Sequence, residues 1–169
     1  MARSETSGKA RVNPGAIIFV VVLTILLVVG VVISHRNRVT LENLPELPGE
    51  KTVFEETGLR VEQSGPELVS LPACRVRVTN KRLLIAIKSG ETHVLRHALV
   101  FAADPRPGVE VVETLGERYV AAEIKRELPT MTTEDGEVVV EVVVPGSDEP
   151  GLNVLIFTKD PKAYQALPE

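Results

Sequence analysis

The residues of this chain best suited to chemistry are five basic side chains in one short stretch. The stretch is Leu68–Gly90, which contains no Asp or Glu. Its cations are Arg75, Arg77, Lys81, Arg82 and Lys88. The surrounding chain is acidic, since residues 39–169 hold 14 Lys and Arg against 22 Asp and Glu, a net charge of −8. Cations gathered in this way bind anionic groups, such as lipid phosphates or the carboxylates of a protein.

Strand alternation predicts that these cations share one face, because successive side chains of a β-strand point to opposite sides of the sheet. The apolar residues of the predicted inner face are Val76, Val78, Leu83, Ile85 and Ile87. The opposite face holds Arg75, Arg77, Arg82, Leu84, Ala86 and Lys88, with Lys81 at the tip. The pattern therefore predicts a β-hairpin with a basic outer face, called here the basic hairpin.

Three interpretations of the basic hairpin follow from the sequence. The first is recognition of an anionic lipid surface, where each nearby cation contributes about 1 kcal/mol. The second is the solvated side of an ordinary strand pair, or an edge that charge protects against aggregation. The third is docking onto an acidic surface of a second copy or of another protein. The sequence does not separate the second from the third.

Patterns of catalysis, cofactor binding and metal binding are missing from the sequence. It contains no Gly-x-Ser-x-Gly elbow, Walker A loop or dinucleotide fingerprint. His93 and His97, if placed on one strand, stand about 13 Å apart, which is too far for joint metal ligation. Four glutamates occupy outward-facing strand positions and are interpreted as solvated: Glu110, Glu113, Glu137 and Glu141. We expect a protein that is not an enzyme and that holds no cofactor or metal.

Nucleic acid is also an unsuitable partner on composition. The chain has no tryptophan and its aromatic content is 4%, which leaves little surface for base stacking. Its acidic domain repels a polyanion. We expect no nucleic-acid partner.

One long apolar run predicts a membrane anchor. Ala16–Ser34 contains no charged residue, and at about 1.5 Å per residue it spans roughly 28 Å. This length matches a hydrocarbon core of about 30 Å. No small-x-small cleavage triplet follows the run, which argues against a removed signal peptide. We expect a single-pass protein of the inner or plasma membrane, with lipids as partners of the span.

The predicted organisation has four parts. They are a polar tail at 1–15, a transmembrane helix at 16–34, a juxtamembrane linker at 35–49 and a β-rich domain at 50–169. The linker is inferred from VTLENLPELPG, which has two prolines and no sustained period. Cys74 is the one cysteine of the chain, so no internal disulfide forms, and we expect its side chain in the core.

Short stretches rich in Val and Ile, closed by turn residues, predict a mainly β domain of antiparallel strands in a strongly bent sheet or small barrel. The predicted strands are Lys51–Glu56, Gly58–Gln63, Ala73–Thr79, Arg82–Lys88, His93–Ala102, Val109–Leu115, Gly136–Val144 and Leu152–Thr158. Glu117–Leu128 is predicted as an internal helix, because Val120, Ile124 and Leu128 fall on one helical face. Asp160 before Pro161 predicts a short C-terminal helix.

The hairpin also resembles a known family. The turn Thr79-Asn80-Lys81-Arg82-Leu83, preceded by Pro48-Gly49-Glu50, resembles the opening of bacterial pleckstrin-homology-like and GRAM-like domains. The resemblance covers Pro48–Ala102. It implies a bent, seven-stranded antiparallel sheet closed by a C-terminal helix. It also implies lipid or peptide contacts at the early hairpin, which correspond to Arg75, Arg77, Lys81, Arg82 and Lys88.

The two indications of orientation point in opposite directions. Arg3, Lys9 and Arg11 precede the span and Arg36 and Arg38 follow it, so the count of basic residues favours a domain outside the cell. The family resemblance favours the cytoplasmic side, which we adopt.

These features predict a single-pass, membrane-anchored β-rich binding module for membrane-surface or protein recognition. The alternative is a non-catalytic accessory or assembly subunit of a larger membrane complex. Its partner would then be a membrane protein or a second copy of the chain.

Overall fold

The computed structural model describes residues 22–28, 38–64, 69–114, 117–145 and 152–165. The chain divides into two compact units, Met1–Asn37 and Arg38–Glu169. In the first unit, residues 22–28 are helical and belong to the predicted span. The remainder of that span lies outside the described residues. No helix in the described part of the chain is long and apolar enough to cross a membrane.

The second unit is mainly β, as predicted, because its runs of β-branched residues suit a pleated, half-buried surface. Within the described residues its strands are β1 (Thr52–Ser64), β2 (Val69–Thr79), β3 (Arg82–Ser89), β4 (Thr92–Phe101), β5 (Val109–Thr114), β6 (Glu117–Ile124), β7 (Thr130–Thr132), β8 (Val138–Val144) and β9 (Leu152–Phe157). A helix at Pro161–Gln165 follows β9. It confirms the predicted C-terminal helix.

The strands form one sheet in the order β5-β6-β4-β3-β2-β1-β9-β8-β7. Its neighbours are antiparallel except for β4 and β6, which run parallel. The expectations of a wholly antiparallel sheet and of seven or eight strands were therefore wrong. The hairpin β5–β6 inserts its second strand beside β4 and leaves β5 at the edge. β6 and β8 contact each other despite their separation in this order, so the sheet bends strongly.

The predicted internal helix at Glu117–Leu128 was wrong, because residues 117–124 form strand β6. The spacing of four between Val120 and Ile124 fits a helical face, but it also fits the period of two of a strand. Val120 lies opposite His97, and Ile124 lies opposite Phe101 on β4. Pairing with strands on both sides decides the conformation.

Gly58 was expected to begin a new strand, but the structure places it within a longer one. It lies inside β1 with φ 76°, and the register between β1 and β2 shifts between Thr57 and Leu59. Glycine adopts this conformation without a Cβ clash, so the strand bulges and continues instead of turning.

Both faces of the hairpin β2–β3 are buried, in two separate hydrophobic clusters. The main core contains the predicted inner-face residues, including Val76, Val78, Leu83 and Ile85, all fully buried. It also contains Cys74, as expected, and burial raises the pKa of that thiol to about 11. The second cluster lies on the opposite face and consists of Leu41, Leu84, Ala86, Leu95 and Ala98.

The second cluster exists because residues 38–50, called here the strap, pack across that face. Leu41 N–H donates to His93 C=O at 3.0 Å, and Leu95 N–H donates to Val39 C=O at 2.9 Å. The Leu41 side chain is only 2% exposed. Contrary to the expectation of a linker over 35–49, the chain is therefore part of the fold from residue 38 onward.

Candidate functional site

The structure places the basic hairpin on β2, β3 and their connecting turn. Arg75 and Arg77 lie on β2 and Arg82 and Lys88 on β3, with Lys81 in the turn. The strap crosses the same face. The predicted basic face is therefore assembled, but three of its members face carboxylates of the same chain.

Glu55 of β1 binds two of the arginines. Arg75 Nε donates to Glu55 Oε1 at 2.7 Å, and Arg77 Nε donates to Glu55 Oε2 at 2.6 Å. Burial acts to raise the pKa of Glu55, but the hydrogen bonds from Arg77 and Arg75 outweigh it and lower the pKa below its ordinary value. Arg75 also donates to Glu42 of the strap at 3.0 Å, and Arg77 donates to Leu41 C=O at 3.1 Å.

Arg82 is the most enclosed of the three arginines. Its Nε and Nη2 donate to the two carboxylate oxygens of Glu50 at 2.7 and 2.8 Å, and Nη2 also donates to Pro45 C=O at 2.7 Å. The side chains of Arg82 and Glu50 are 9% and 5% exposed. Burial acts to raise the pKa of Glu50, but bonds from Arg82 and from Leu47 N–H lower it overall.

The two lysines lie at opposite ends of β3. Lys81 Nζ donates to Pro48 C=O of the strap. Lys88 is exposed near the turn to β4. The strap thus contacts one lysine of the hairpin and leaves the other facing solvent.

The face as a whole is a network of three guanidinium groups and three carboxylates. Arg75, Arg77 and Arg82 are matched by Glu42, Glu50 and Glu55. Because these charges compensate each other, the face offers an external anion much less attraction than five unpaired cations would. The three glutamates were not identified from the sequence. For Glu55 the available signal was its outward position on a strand beside the hairpin.

Two open regions of the sheet were also not identified as sites from the sequence. One is β5, an edge strand on which Val109 and Val111 are 43% and 55% exposed. The other is a groove of about 840 Å³ between the chain at 124–129 and the end of β8, beside the C-terminal helix. On β8, Val143 is 51% exposed.

The two histidines of β4 lie in different environments. His93 Nδ1 is 3.5 Å from Glu42 Oε1 and from Arg75 Nη1, at the strap. His97 is 1% exposed, and its Nε2 is 2.9 Å from Gln63 Oε1. Since an amide oxygen only accepts, Nε2 carries the proton. Burial and then the charge of Arg96 lower the pKa of His97 to about 4.

We expect this histidine to make the fold acid-sensitive. The pKa of His97 is about 4 in the folded chain against an ordinary 6.5, so the unfolded chain binds the proton first as the pH falls. The contribution of His97 to the free energy of unfolding is fully present above about pH 6.5, and about 3 kcal/mol of it is lost as the pH falls towards 4. The measurement is urea unfolding of residues 38–169 between pH 7 and pH 5, a range above the carboxylate titrations. His97→Asn should flatten the profile. Equal slopes in wild type and His97→Asn would contradict the assignment.

No family model, curated protein or solved structure matches the chain.

Proposed function

We propose that the chain is a single-pass membrane protein whose β-rich domain recognises a polypeptide partner, as a non-catalytic accessory or assembly module. The apolar run at 16–34 supports the anchor, since its length and composition suit a bilayer. The domain is proposed to lie on the cytoplasmic side, as the resemblance to pleckstrin-homology-like domains implies. That resemblance is based on the turn between β2 and β3.

The observation that carries the proposal is the open sheet edge. An edge strand presents unpaired backbone groups, and soluble proteins normally protect such strands with lysines, prolines or a covering segment. β5 contains no lysine or proline and exposes Val109 and Val111. An exposed apolar strand edge is a surface on which another polypeptide pairs. The exposed carboxylates of β5, Glu110 and Glu113, favour a partner segment that is basic where it meets this edge.

Lipid recognition by the whole basic hairpin is supported less, because its arginines are already bound to Glu42, Glu50 and Glu55. One observation favours a smaller lipid contact as the second candidate function. Lys88 is exposed next to Ser89, whose Oγ accepts a hydrogen bond from Arg38 Nη1 at 3.0 Å. Arg38 lies only four residues beyond the predicted span. These two cations suit anionic head groups near the membrane surface.

Photo-crosslinking in native membranes tests the protein-recognition proposal. The full chain carries benzoylphenylalanine at Val111, with the exposed β1 residue Val53 as the matched control. We expect crosslinks to a discrete protein from Val111 and not from Val53. Equal capture from both positions, or no capture from Val111, would overturn the proposal.

Vesicle flotation tests lipid recognition by the whole basic hairpin. Residues 38–169 are mixed with phosphatidylcholine vesicles that contain or lack phosphatidylglycerol. We expect Arg75→Gln to change binding less than twofold, since Arg75 is already paired with Glu55 and Glu42. Strong binding to the anionic vesicles that Arg75→Gln abolishes would instead establish the basic hairpin as a lipid site.

A further inference from the structure

The groove beside β8 is bounded by two backbone hydrogen bonds. At one end Glu141 N–H donates to Pro129 C=O at 2.8 Å, and at the other Gly108 N–H donates to Pro145 C=O at 2.9 Å. Between these bonds, β7 no longer accompanies β8, because their pairing stops at Thr130 opposite Val140. Within the described residues, the end of β8 therefore forms a short open edge inside the sheet.

Strand geometry identifies which backbone groups face this opening. Thr158 N–H donates to Val138 C=O, on the β9 side of β8. Since backbone groups alternate in direction along an antiparallel strand, Glu141 and Val143 direct theirs to the other side. Pro129 has no N–H to return a bond to Glu141. The described residues supply no partner to Glu141 C=O, Val143 N–H or Val143 C=O.

The three unpaired backbone groups are an acceptor, a donor and an acceptor in sequence along β8. An extended polypeptide matches them, because its own N–H and C=O groups recur at the spacing of a β-strand. We propose that this groove binds a short extended segment of a partner protein, which adds to β8 as a strand. The proposal rests on the proposed function and names the recognition site within it. An added strand satisfies the backbone, and its side chains meet the walls of the groove.

The walls set the chemistry of that segment. Ile124 and Leu128 are buried apolar residues on one side, and Tyr164 of the C-terminal helix is buried beside them. Val143 on the other side is 51% exposed. The wall opposite β8 carries Lys125, Arg126 and Glu127, which sum to one positive charge, and Lys125 is exposed. An extended segment that alternates apolar and acidic residues therefore fits, with a carboxylate facing Lys125.

A second copy of the chain fits this edge poorly. Antiparallel pairing of two β8 edges about Val143 would place Glu141 of one copy opposite Pro145 of the other. Proline donates no hydrogen bond, and Pro145 C=O already accepts from Gly108. A partner with a different sequence has an N–H and a free C=O at this position, so neither hydrogen bond is lost.

A peptide-binding experiment tests the proposal on the full chain in detergent micelles. The probe is a fluorescein-labelled peptide of alternating Glu and Val, followed by fluorescence anisotropy. The matched probes are the same peptide N-methylated at alternate amides and a peptide of alternating Lys and Val. We expect the acidic peptide to bind at least tenfold more tightly than either one. Equal affinity for the N-methylated peptide would overturn strand addition.

Two variants distinguish peptide binding at the β8 edge from non-specific peptide binding. Val143→Pro removes the N–H that faces the groove, and its ring also fixes φ and restricts Val142. With affinity measured well below the unfolding midpoint of the variant, we expect at least a fivefold loss for the acidic peptide. Lys125→Glu keeps the edge and should reverse the preference towards the basic peptide. If Lys125→Glu leaves the preference unchanged, the proposed chemistry of the groove is wrong.

Crosslinking from position 143 distinguishes this site from the broader function. Protein crosslinks from both Val143 and Val111 support the groove and the proposed function together. Crosslinks from Val111 alone overturn the groove and leave the function standing. Crosslinks from Val143 only to a second copy, or only within the same chain, also overturn the proposal. An absence of crosslinks from both positions overturns the groove and the proposed function.

Discussion

Replacing Glu50 by Gln is expected to destabilise the β-rich unit by about 3–5 kcal/mol, because it leaves the buried guanidinium of Arg82 without its countercharge. Arg82 makes two hydrogen bonds to the carboxylate, at 2.7 and 2.8 Å, and both side chains are less than a tenth exposed. The amide of Gln offers one acceptor in place of two and no charge. The measurement is urea unfolding of residues 38–169, which contain both hydrophobic clusters.

Two controls distinguish loss of the pair from general damage. Glu137→Gln removes a carboxylate from an exposed pair with Arg60, where the side chains are 50% and 45% exposed, and should cost less than about 1 kcal/mol. The double replacement Arg82→Met with Glu50→Leu should recover most of the loss, since apolar residues can replace a buried ion pair. A cost for Glu50→Gln no larger than that for Glu137→Gln would show that the buried pair does not form.

Replacing Leu41 by Ala is expected to cost about 2–4 kcal/mol, although the residue precedes every strand. Leu41 is 2% exposed and packs in the second cluster with Leu84 and Leu95. Truncation of a buried Leu removes its transfer free energy and leaves a cavity. The measurement is again urea unfolding of residues 38–169.

The matched control for Leu41 is Glu46→Ala at an exposed position of the same strap, for which a change within about 0.5 kcal/mol is expected. If residues 38–50 were a flexible linker, the two replacements would have equal and negligible effects. That outcome would also mean that the strap does not cover the second cluster.

The sequence predicted the inner half of the domain well, because strand period is a local property. The alternation of Val76 and Val78 with Arg75 and Arg77 specifies which side of β2 enters the core. The same rule assigns Leu83 and Ile85 on β3. These residues are fully buried, as expected.

Local sequence patterns did not predict the features that depend on contacts between residues far apart in the sequence. Leu84 and Ala86 were assigned to a solvent-facing side, and nothing near them in the sequence shows that Leu41 covers them. The prolines of the strap resemble those of a linker, yet Pro45 C=O accepts a hydrogen bond from Arg82. Likewise, the spacing of Val120 and Ile124 suits both a helix and a strand, and only the pairing with β4 selects the strand.

The sequence predicted which cations lie on the basic hairpin, but it did not predict that carboxylates of the same chain pair with its arginines. The five cations are on the hairpin, as expected from their positions, and a count of charges identified their concentration. Their neutralisation depends on Glu42, Glu50 and Glu55, which lie 33, 32 and 22 positions before Arg75, Arg82 and Arg77 respectively. Ion pairs at such separation follow from the register of β1 and β2 and from the path of the strap.

The strap closes the basic hairpin, and the proposed recognition by the open strand edges depends on this closure. Native-state hydrogen exchange measures it most directly, through the amides of Leu41 and Leu95, which bond to His93 C=O and Val39 C=O. We predict that both amides exchange only through global unfolding, at the rate of the Val76 amide in the main core. Exchange of the Leu41 amide at the rate of an unstructured peptide would contradict the claim and leave the basic face open to solvent.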